Sequence, residues 1–178
     1  MNTILFDNLL SDSECDSLIN QSHFTPALID NEISNYIDTQ YRKCQLSVID
    51  TKSNQWLIDK LFPALKDINN NYFKYIISGI TELQVIKYDT GSFYKKHIDT
   101  YTDELNYQRK LTFIIQLSNQ FDYEEGDLII HASDIGETTT REKGSMIVFP
   151  SYTLHEVTPI LSGTRYSLIG WCFGPEFK

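Results

Sequence analysis

The hydrophobic pattern of this 178-residue chain changes in type near Ile80. Before Ile80, apolar residues recur at intervals of three and four, which is typical of helices. After it, short alternating or fully apolar runs are separated by turn residues, which is typical of strands. Helices followed by strands favour helices packed on an antiparallel sheet or on a double-sheet sandwich. We therefore expect a mainly β fold with N-terminal helices.

The length and the apolar content of 41% suit a single hydrophobic core. We expect one domain over residues 1–178. Its helical N-terminal part covers about residues 1–78, and its β core covers about residues 79–178.

Two helices are predicted in the first part. Ser11 and Glu14 have the spacing of a capping box, so a first helix is expected over about residues 12–22. A second helix is expected over residues 53–75, with Pro63 near a kink or break. One stripe of this second helix carries Leu57, Leu61, Leu65, Ile68 and Tyr72.

At least five strands are predicted in the second part. They cover residues 81–87, 111–117, 127–131, 145–149 and 165–173. Residues 30–40, between the two helices, are polar and lack a clear period. A loop is therefore expected there.

Charge and hydropathy narrow the classes of partner. The formal net charge of −9 disfavours a polyanionic partner such as nucleic acid. No run of about 18 apolar residues and no basic, then apolar, leader is present, so we expect a cytoplasmic protein without a membrane span. Cys15, Cys44 and Cys172 have no Cys-x-x-Cys spacing and are expected to be reduced thiols.

Three residues form a candidate metal site. In an extended segment, His97 and Asp99 project from the same face, and His155 follows a buried strand and a turn containing Pro150. Two histidines and one carboxylate on one face favour iron(II) and leave three coordination positions open. Two of these can accept a chelating 2-oxo acid, and the third can accept O₂. We therefore expect His97, Asp99 and His155 to be catalytic metal ligands.

A chelating acid with a second carboxylate needs a fixed cationic partner when it is buried. Arg165 is the candidate, because a guanidinium binds a carboxylate bidentately. Ser167, two residues further on, is expected to share its strand face.

Several motifs together resemble the 2-oxoglutarate and iron(II)-dependent dioxygenases, specifically their prolyl 4-hydroxylase-like branch. The resemblance is carried by Tyr88, Gly91, Tyr94, His97-Ile98-Asp99, Arg109-Lys110-Leu111-Thr112, Gly126-Asp127-Leu128, Phe149-Pro150-Ser151, His155-Glu156-Val157 and Gly163-Thr164-Arg165-Tyr166-Ser167. A fainter likeness precedes the first helix, at Phe6 to Ser11. Two positions depart from the family pattern. Glu125 stands where the first of two glycines is frequent, and Ser118 stands where asparagine is common.

The resemblance implies a double-stranded β-helix, or jelly roll, with His97, Asp99 and His155 as iron ligands. Arg165 would hold the distal carboxylate of 2-oxoglutarate, and Tyr88 would line the same pocket. Leu128 and Trp171 would be further walls of this pocket. The implied reaction consumes 2-oxoglutarate and O₂, releases succinate and CO₂, and hydroxylates an organic substrate, with peptidyl proline favoured and ascorbate as a supporting reductant.

Three alternatives stay open. A cupin-like jelly roll that binds a metal or a sugar without oxidation would not need Arg165. A hydroxylase of the same superfamily could act on a small molecule or a free amino acid. A nucleic-acid demethylase of the superfamily typically carries a second arginine six residues after the first, where this chain has Trp171.

Other polar and aromatic residues have less certain roles. Tyr94 is a candidate for substrate contact. His23 and His131 are expected to be solvated or locally hydrogen-bonded. Four tyrosines could either form a substrate-contacting lid or pack over the edge of the core. They are Tyr36, Tyr41, Tyr101 and Tyr107.

Overall fold

A computed structural model describes residues 3–27, 29–30, 35–36, 38–132 and 135–177 of the chain. It contains the α-helices α1 (Asp12–Asn20) and α2 (Gln55–Ile68), and a π-helical turn, Asn69–Phe73, continues α2. None of the helices in the described ranges is long and apolar enough to cross a membrane.

Helix α1 begins as the sequence predicts. Ser11 Oγ accepts a hydrogen bond from the Glu14 backbone N–H at 3.4 Å, and Glu14 Oε2 accepts one from the Ser11 backbone N–H at 2.8 Å. This reciprocal capping box satisfies two N–H groups that the first turn would leave unpaired. The helix buries Cys15 and Leu18 and ends at Asn20, two residues earlier than predicted.

Helix α2 runs through Pro63 without a break and buries the predicted leucine stripe. The stripe prediction is wrong at Tyr72, whose side chain is 58% exposed. Tyr72 lies in the π-helical turn, where the Lys74 N–H donates to Asn69 O five residues earlier. This wider turn changes the angular spacing of the side chains, so Tyr72 leaves the buried face.

Sixteen strands are present in the described residues. The N-terminal ones are β1 (Ile4–Phe6), β2 (Thr25–Pro26), β3 (Ile29–Asp30), β4 (Asn35–Tyr36), β5 (Arg42–Lys43) and β6 (Gln45–Val48). The others are β7 (Gly79–Ile80), β8 (Gln84–Asp89), β9 (Phe93–His97), β10 (Tyr107–Gln116), β11 (Tyr123–Glu125), β12 (Leu128–His131), β13 (Glu137–Thr138), β14 (Met146–Pro150), β15 (Leu154–Val157) and β16 (Ile160–Pro175). The five predicted strands are therefore present as β8, β10, β12, β14 and β16, with shifted ends.

Most strands form two antiparallel sheets. The major sheet has nine strands in the order β1-β14-β10-β16-β8-β6-β2, and β7 and β11 also pair with β16. The minor sheet has the order β13-β12-β15-β9-β5. Strands β3 and β4 form a separate pair. The predicted mainly β fold with helices is confirmed.

The N-terminal part is less helical than predicted. It supplies β1, β2 and β6 to the major sheet and β5 to the minor sheet. We expected only a loop over residues 30–40, but strand β4 lies within this range and β3 begins one residue before it. Strands of two to four residues carry too few side chains to display a period, which is why the hydrophobic pattern did not reveal them.

The major sheet is buried on both faces. In β10, Phe113 packs against the helices, whereas its neighbour Ile114 faces the space between the two sheets. The same alternation separates Val85 from Ile86 in β8. Because successive residues of a strand project to opposite faces, every second residue of β10 and β16 points between the sheets. The candidate site lies in that space.

All three cysteines are free and buried. Burial raises the pKa of Cys15 to about 11 and that of Cys172 to about 12. These thiols belong to the core, in agreement with their predicted reduced state.

Candidate metal centre

The structure brings His97, Asp99 and His155 together. His97 ends β9 and lies opposite His155 of β15 in the strand register. Asp99 follows two residues later, where its backbone N–H donates to Ser151 O at 2.8 Å. One potential ligand atom of each residue lies within 4.8 Å of the other two, and all three side chains are buried. A single metal ion can therefore bind between them.

Both histidines are held in the same tautomer. His97 Nδ1 lies 2.7 Å from Lys95 O, and His155 Nδ1 lies 2.9 Å from Thr153 O. A carbonyl oxygen only accepts hydrogen bonds, so each Nδ1 carries the proton and each Nε2 keeps its lone pair. The two Nε2 atoms lie 3.6 Å and 3.5 Å from the oxygens of Asp99. Backbone carbonyls thus orient both rings for coordination.

Asp99 is oriented by a hydroxyl pair. Thr112 Oγ1 donates to Asp99 Oδ2 at 2.9 Å and lies 3.1 Å from Ser151 Oγ. Such outer contacts fix the direction in which a ligand carboxylate presents its free electron pairs.

The electrostatics of the three residues favour a metal-binding form. Burial, followed by the proximity of His155, lowers the pKa of His97 to about 4, which keeps its ring neutral at physiological pH. Burial opposes ionisation of Asp99, but His155 and His97, with Trp171 and Thr112, hold the pKa of its carboxyl below the usual value. A neutral imidazole and an ionised carboxylate are the forms that bind a metal.

Aromatic and cationic groups cover one side of the His97 ring. Tyr94 stacks on it with a centroid separation of 3.5 Å and an interplanar angle of 15°. The Arg42 guanidinium lies over the Tyr94 ring, 4.6 Å from the ring centroid. The stack restricts the rotation of the ligand ring.

A narrow cavity between the sheets adjoins the two histidines. Its lining includes Tyr88, Leu128, Arg165 and Ser167. Arg165 is 1% exposed, and its Nη2 donates to Gln116 Oε1 at 2.9 Å. Its Nε and Nη1 are buried and have no hydrogen-bond partner in the described part of the chain.

Unpaired nitrogens on a buried guanidinium are costly unless a ligand satisfies them. The Tyr88 ring centroid lies 5.4 Å from Arg165 Cζ, so an aromatic wall lies beside the cation. A buried arginine with two nitrogens that no described residue engages, beside a two-histidine, one-carboxylate site, fits a chelating dicarboxylate. The residues present therefore fit both iron(II) and 2-oxoglutarate.

A second, open cavity of about 440 Å³ is lined in part by Asp99. Its lining includes Arg42, Tyr94, Tyr101, Arg109 and Trp171. The structure places Trp171 in this cavity and not among the residues of the narrow cavity, where the resemblance had suggested it as a wall. The open cavity is the available space for a substrate next to the metal centre.

The lid candidates have different positions. Tyr101 lines the open cavity and is 53% exposed. Tyr41 packs edge-on against Tyr94, with ring centroids 5.9 Å apart. Tyr107 packs against Phe173 away from this cavity. The side chain of Tyr36 lies outside the described residues.

The two other histidines do not join the site. His131 Nε2 lies 2.9 Å from Glu156 Oε1, a local hydrogen bond as expected. His23 is exposed to solvent.

Sequence reasoning missed four residues that support the site. Thr112 and Gln116 are four residues apart on β10, so their shared face follows from strand periodicity once the strand is assigned. Ser151 lay within a motif but had no assigned role. Arg42 comes from the two-residue strand β5, and no pattern in the sequence marks it.

Comparison with protein families gives one match over the β core. Residues 83–173 match the family model described as the 2OG-Fe(II) oxygenase superfamily. Among curated proteins, a PKHD-type hydroxylase of Gloeothece citriformis is 36% identical over 93 residues, which are 52% of this chain and 42% of that relative. A PKHD-type hydroxylase of Synechococcus is 36% identical over 99 residues, which are 54% of this chain and 43% of that relative. The chain thus matches less than half the length of these relatives.

Solved structures share the fold over nearly the whole chain. A prolyl-4-hydroxylase of Pseudomonas putida superposes with a TM-score of 0.75 at 21% identity, covering 99% of this chain and 94% of the other. A prolyl hydroxylase of Trichoplax adhaerens, solved with a peptide fragment of a hypoxia inducible factor, superposes with a TM-score of 0.77 at 20% identity, covering 97% and 83%. These likenesses confirm the predicted jelly roll. With more than half of its length matched by the family model, the chain belongs to the 2OG-Fe(II) oxygenase superfamily.

Proposed function

We propose that this protein is an iron(II)- and 2-oxoglutarate-dependent hydroxylase. In this proposal His97, Asp99 and His155 bind the metal, and Arg165 binds the distal carboxylate of 2-oxoglutarate. The observation that carries the proposal is a pair of buried Arg165 nitrogens, Nε and Nη1, that have no hydrogen-bond partner among the described residues and lie in a cavity that adjoins both histidines. Family membership supports the same reaction class.

Each residue has a role that follows from its contacts. The two histidines present Nε2, and Asp99 presents the carboxylate that Thr112 orients. Three protein ligands leave three positions open for the 2-oxo acid and O₂. Bound iron, 2-oxoglutarate and O₂ supply the oxidising chemistry, with release of succinate and CO₂.

The remaining residues position and shield the reactants. Arg165, held by Gln116, fixes one end of 2-oxoglutarate, so that its 2-oxo acid end is directed towards the ligand histidines. Tyr88, Leu128 and Ser167 complete the wall of the narrow cavity. Exclusion of water from this space protects a reactive oxidant from side reactions.

We infer that the substrate is a peptidyl proline. The curated relatives are named hydroxylases, and the structural neighbours include prolyl hydroxylases, one of them solved with a peptide. Tyr94 and Tyr101 line the open cavity. Their rings provide apolar faces for the pyrrolidine ring of proline, and their hydroxyls can donate hydrogen bonds to peptide carbonyls. Ascorbate would serve as a supporting reductant.

The alternative activities have less support. A cupin-like binder without oxidation has no use for the free donors of Arg165. A nucleic-acid substrate is disfavoured by the net charge of −9 and by Trp171 at the position of the second arginine. A small molecule or free amino acid remains the competing substrate class. The single domain and the cytoplasmic location stay predictions from the sequence.

Mass spectrometry tests the substrate. The protein is incubated with iron(II), ascorbate, 2-oxoglutarate and a panel of proline peptides, and separately with free amino acids and cell extract. We expect a gain of one oxygen on a peptidyl proline, together with one succinate for each hydroxylation. Succinate coupled to a free amino acid, with every peptide unmodified, would reject the peptide substrate and leave the hydroxylase assignment in place.

A further inference from the structure

We propose that the open cavity selects substrates that carry a carboxylate close to the hydroxylated residue, and that Arg109 and Arg42 bind this carboxylate. The inference rests on the proposed hydroxylase function and names a chemical class within its substrates. It arises from two cations in the open cavity to which the proposed reaction assigns no ligand.

Arg109 lies in the open cavity, and no acidic side chain of the described residues forms an ion pair with it. Its guanidinium is 3.7 Å from the ring centroid of Trp171 and 5.5 Å from that of Tyr101. In the described part of the chain, neither a carboxylate within 4 Å nor a side-chain hydrogen bond engages it. The aromatic faces hold the guanidinium plane in place and leave its N–H donors for a ligand.

Arg42 lies at the junction of the two cavities and lines both. Its guanidinium stacks over Tyr94, and its Nε donates to Cys44 Sγ at 3.1 Å. Among the described residues, no carboxylate lies within 4 Å of this guanidinium either. The remaining donors of Arg42 are therefore also available to a ligand.

The charges of the open cavity do not balance. Its described lining contains two guanidiniums and one carboxylate, Asp99. In the proposed site, Asp99 is a metal ligand, so its charge is shared with the ion. The whole chain carries a formal charge of −9, which makes this local excess of positive charge more distinctive. Half-buried cations without counter-ions favour binding of an anion.

The surroundings favour a carboxylate over a phosphate. A guanidinium fork matches both anions, but phosphate sites commonly add the N–H groups of a helix N-terminus. Helices α1 and α2 pack on the opposite face of the major sheet, in the core cluster that contains Leu18 and Leu57. Neither contributes a residue to the described lining of the open cavity. Two arginines alone suit a carboxylate.

Matched peptides test the inference and distinguish two sources of the carboxylate. The first pair places Glu or Gln directly after proline in otherwise identical, end-blocked peptides. The second pair ends at proline with a free carboxylate or an amide. A third pair replaces the acidic residue by phosphoserine or serine. For each peptide, kcat and KM are measured with the iron-loaded protein and saturating 2-oxoglutarate.

We expect the wild-type protein to have at least a tenfold lower KM for one carboxylate peptide than for its neutral partner. Arg109→Gln should remove this preference, Arg109→Lys should retain part of it, and Arg42→Gln should reduce it. Arg141→Gln is the matched control, because it removes one positive charge from a partly buried pair with Asp127, and neither residue lines the cavity. The control should keep the full preference.

A binding measurement provides a readout that does not depend on turnover. Trp171 lies under the Arg109 guanidinium, and the only other tryptophan is Trp56. In a Trp56→Phe background loaded with manganese(II) and 2-oxoglutarate, the carboxylate peptide should change the tryptophan fluorescence at lower concentration than its neutral partner. Arg109→Gln should abolish this difference.

The outcomes separate the inference from the proposed function. Equal KM values for charged and neutral peptides that are both hydroxylated would overturn the carboxylate site and leave the hydroxylase intact. A preference that survives in Arg109→Gln, or a stronger preference for phosphoserine, would also overturn it. Selective fluorescence binding without hydroxylation or succinate would support the anion site and reject the proposed reaction.

Discussion

Gln116 and Arg165 form a buried pair in which Gln116 Oε1 accepts a 2.9 Å hydrogen bond from Arg165 Nη2. Gln116 ends β10, and its strand partner is Ser167, two residues beyond Arg165. The amide is neutral, so it orients the guanidinium without cancelling its charge. The cation therefore stays available for an anionic ligand.

This pair predicts effects of different size for two substitutions of Gln116. Gln116→Glu should weaken 2-oxoglutarate binding more than tenfold, because an ionised glutamate would compete for the guanidinium. Gln116→Met should weaken it less, since it loses the neutral hydrogen bonds to Arg165 and to Thr140 O but introduces no competing charge. Calorimetry on the manganese-substituted protein measures both affinities. Equal affinities for wild type and Gln116→Glu would argue against an anion at Arg165.

Removal of the cation itself should also weaken 2-oxoglutarate binding. Arg165→Ala should raise the Kd for 2-oxoglutarate more than tenfold, since loss of one partner from a buried charge pair costs roughly 2 to 5 kcal/mol. Metal binding should survive, because Arg165 is not a ligand. An unchanged Kd for 2-oxoglutarate would favour the cupin-like alternative.

Thr112→Val tests the orientation of Asp99 with little change in side-chain volume. Loss of the 2.9 Å hydrogen bond to Asp99 should weaken iron(II) affinity by about 10-fold to 100-fold, the usual range for an outer contact of a metal ligand. Thr139→Val is the matched control, because the Thr139 hydroxyl is buried and has no partner in the described part of the chain. Equal metal affinities in the two variants would exclude the orienting role of Thr112.

The lowered pKa of His97 predicts a pH dependence of stability for the metal-free protein. In the unfolded chain this histidine takes up a proton near pH 6.5, whereas in the folded chain its pKa is about 4. Between these values the unfolded state binds more protons, so the free energy of unfolding falls as the pH falls from about 6.5 to 4. Urea unfolding at several pH values measures this slope. His97→Gln should make the slope smaller, and an identical slope would show that His97 is not its source.

Much of the site was readable from the sequence because its residues lie on strands or directly after them. His97 ends β9, and Asp99 follows it; His155 lies in β15, and Arg165 lies in the long strand β16. Strand geometry predicts from their spacings that these four side chains face the same interior space. The capping box and the leucine stripe of α2 were readable for the same reason, since each is a local pattern. Tyr72 was misassigned because a π-helical turn changes the period without a composition signal.

Other features depend on contacts between distant segments. Arg42 reaches the site from a two-residue strand, and the pairing of this strand with β9 depends on tertiary packing.

The backbone conformation at Glu125 could not be predicted from the sequence either. The sequence marks it only as a departure from a frequent glycine, whereas the structure gives it a left-handed backbone with φ of 59°. The turn thus keeps the backbone conformation that glycine adopts most readily, although the side chain differs.

The most direct test of the metal centre is the iron-dependent conversion of 2-oxoglutarate to succinate. Wild type is compared with His97→Ala, Asp99→Ala and His155→Ala after circular dichroism has established that each variant is folded. We expect succinate formation in the wild type and its loss in all three variants, because the open triad serves the reaction more than the fold. Full activity in any one folded variant would contradict the assignment of these residues as the iron site.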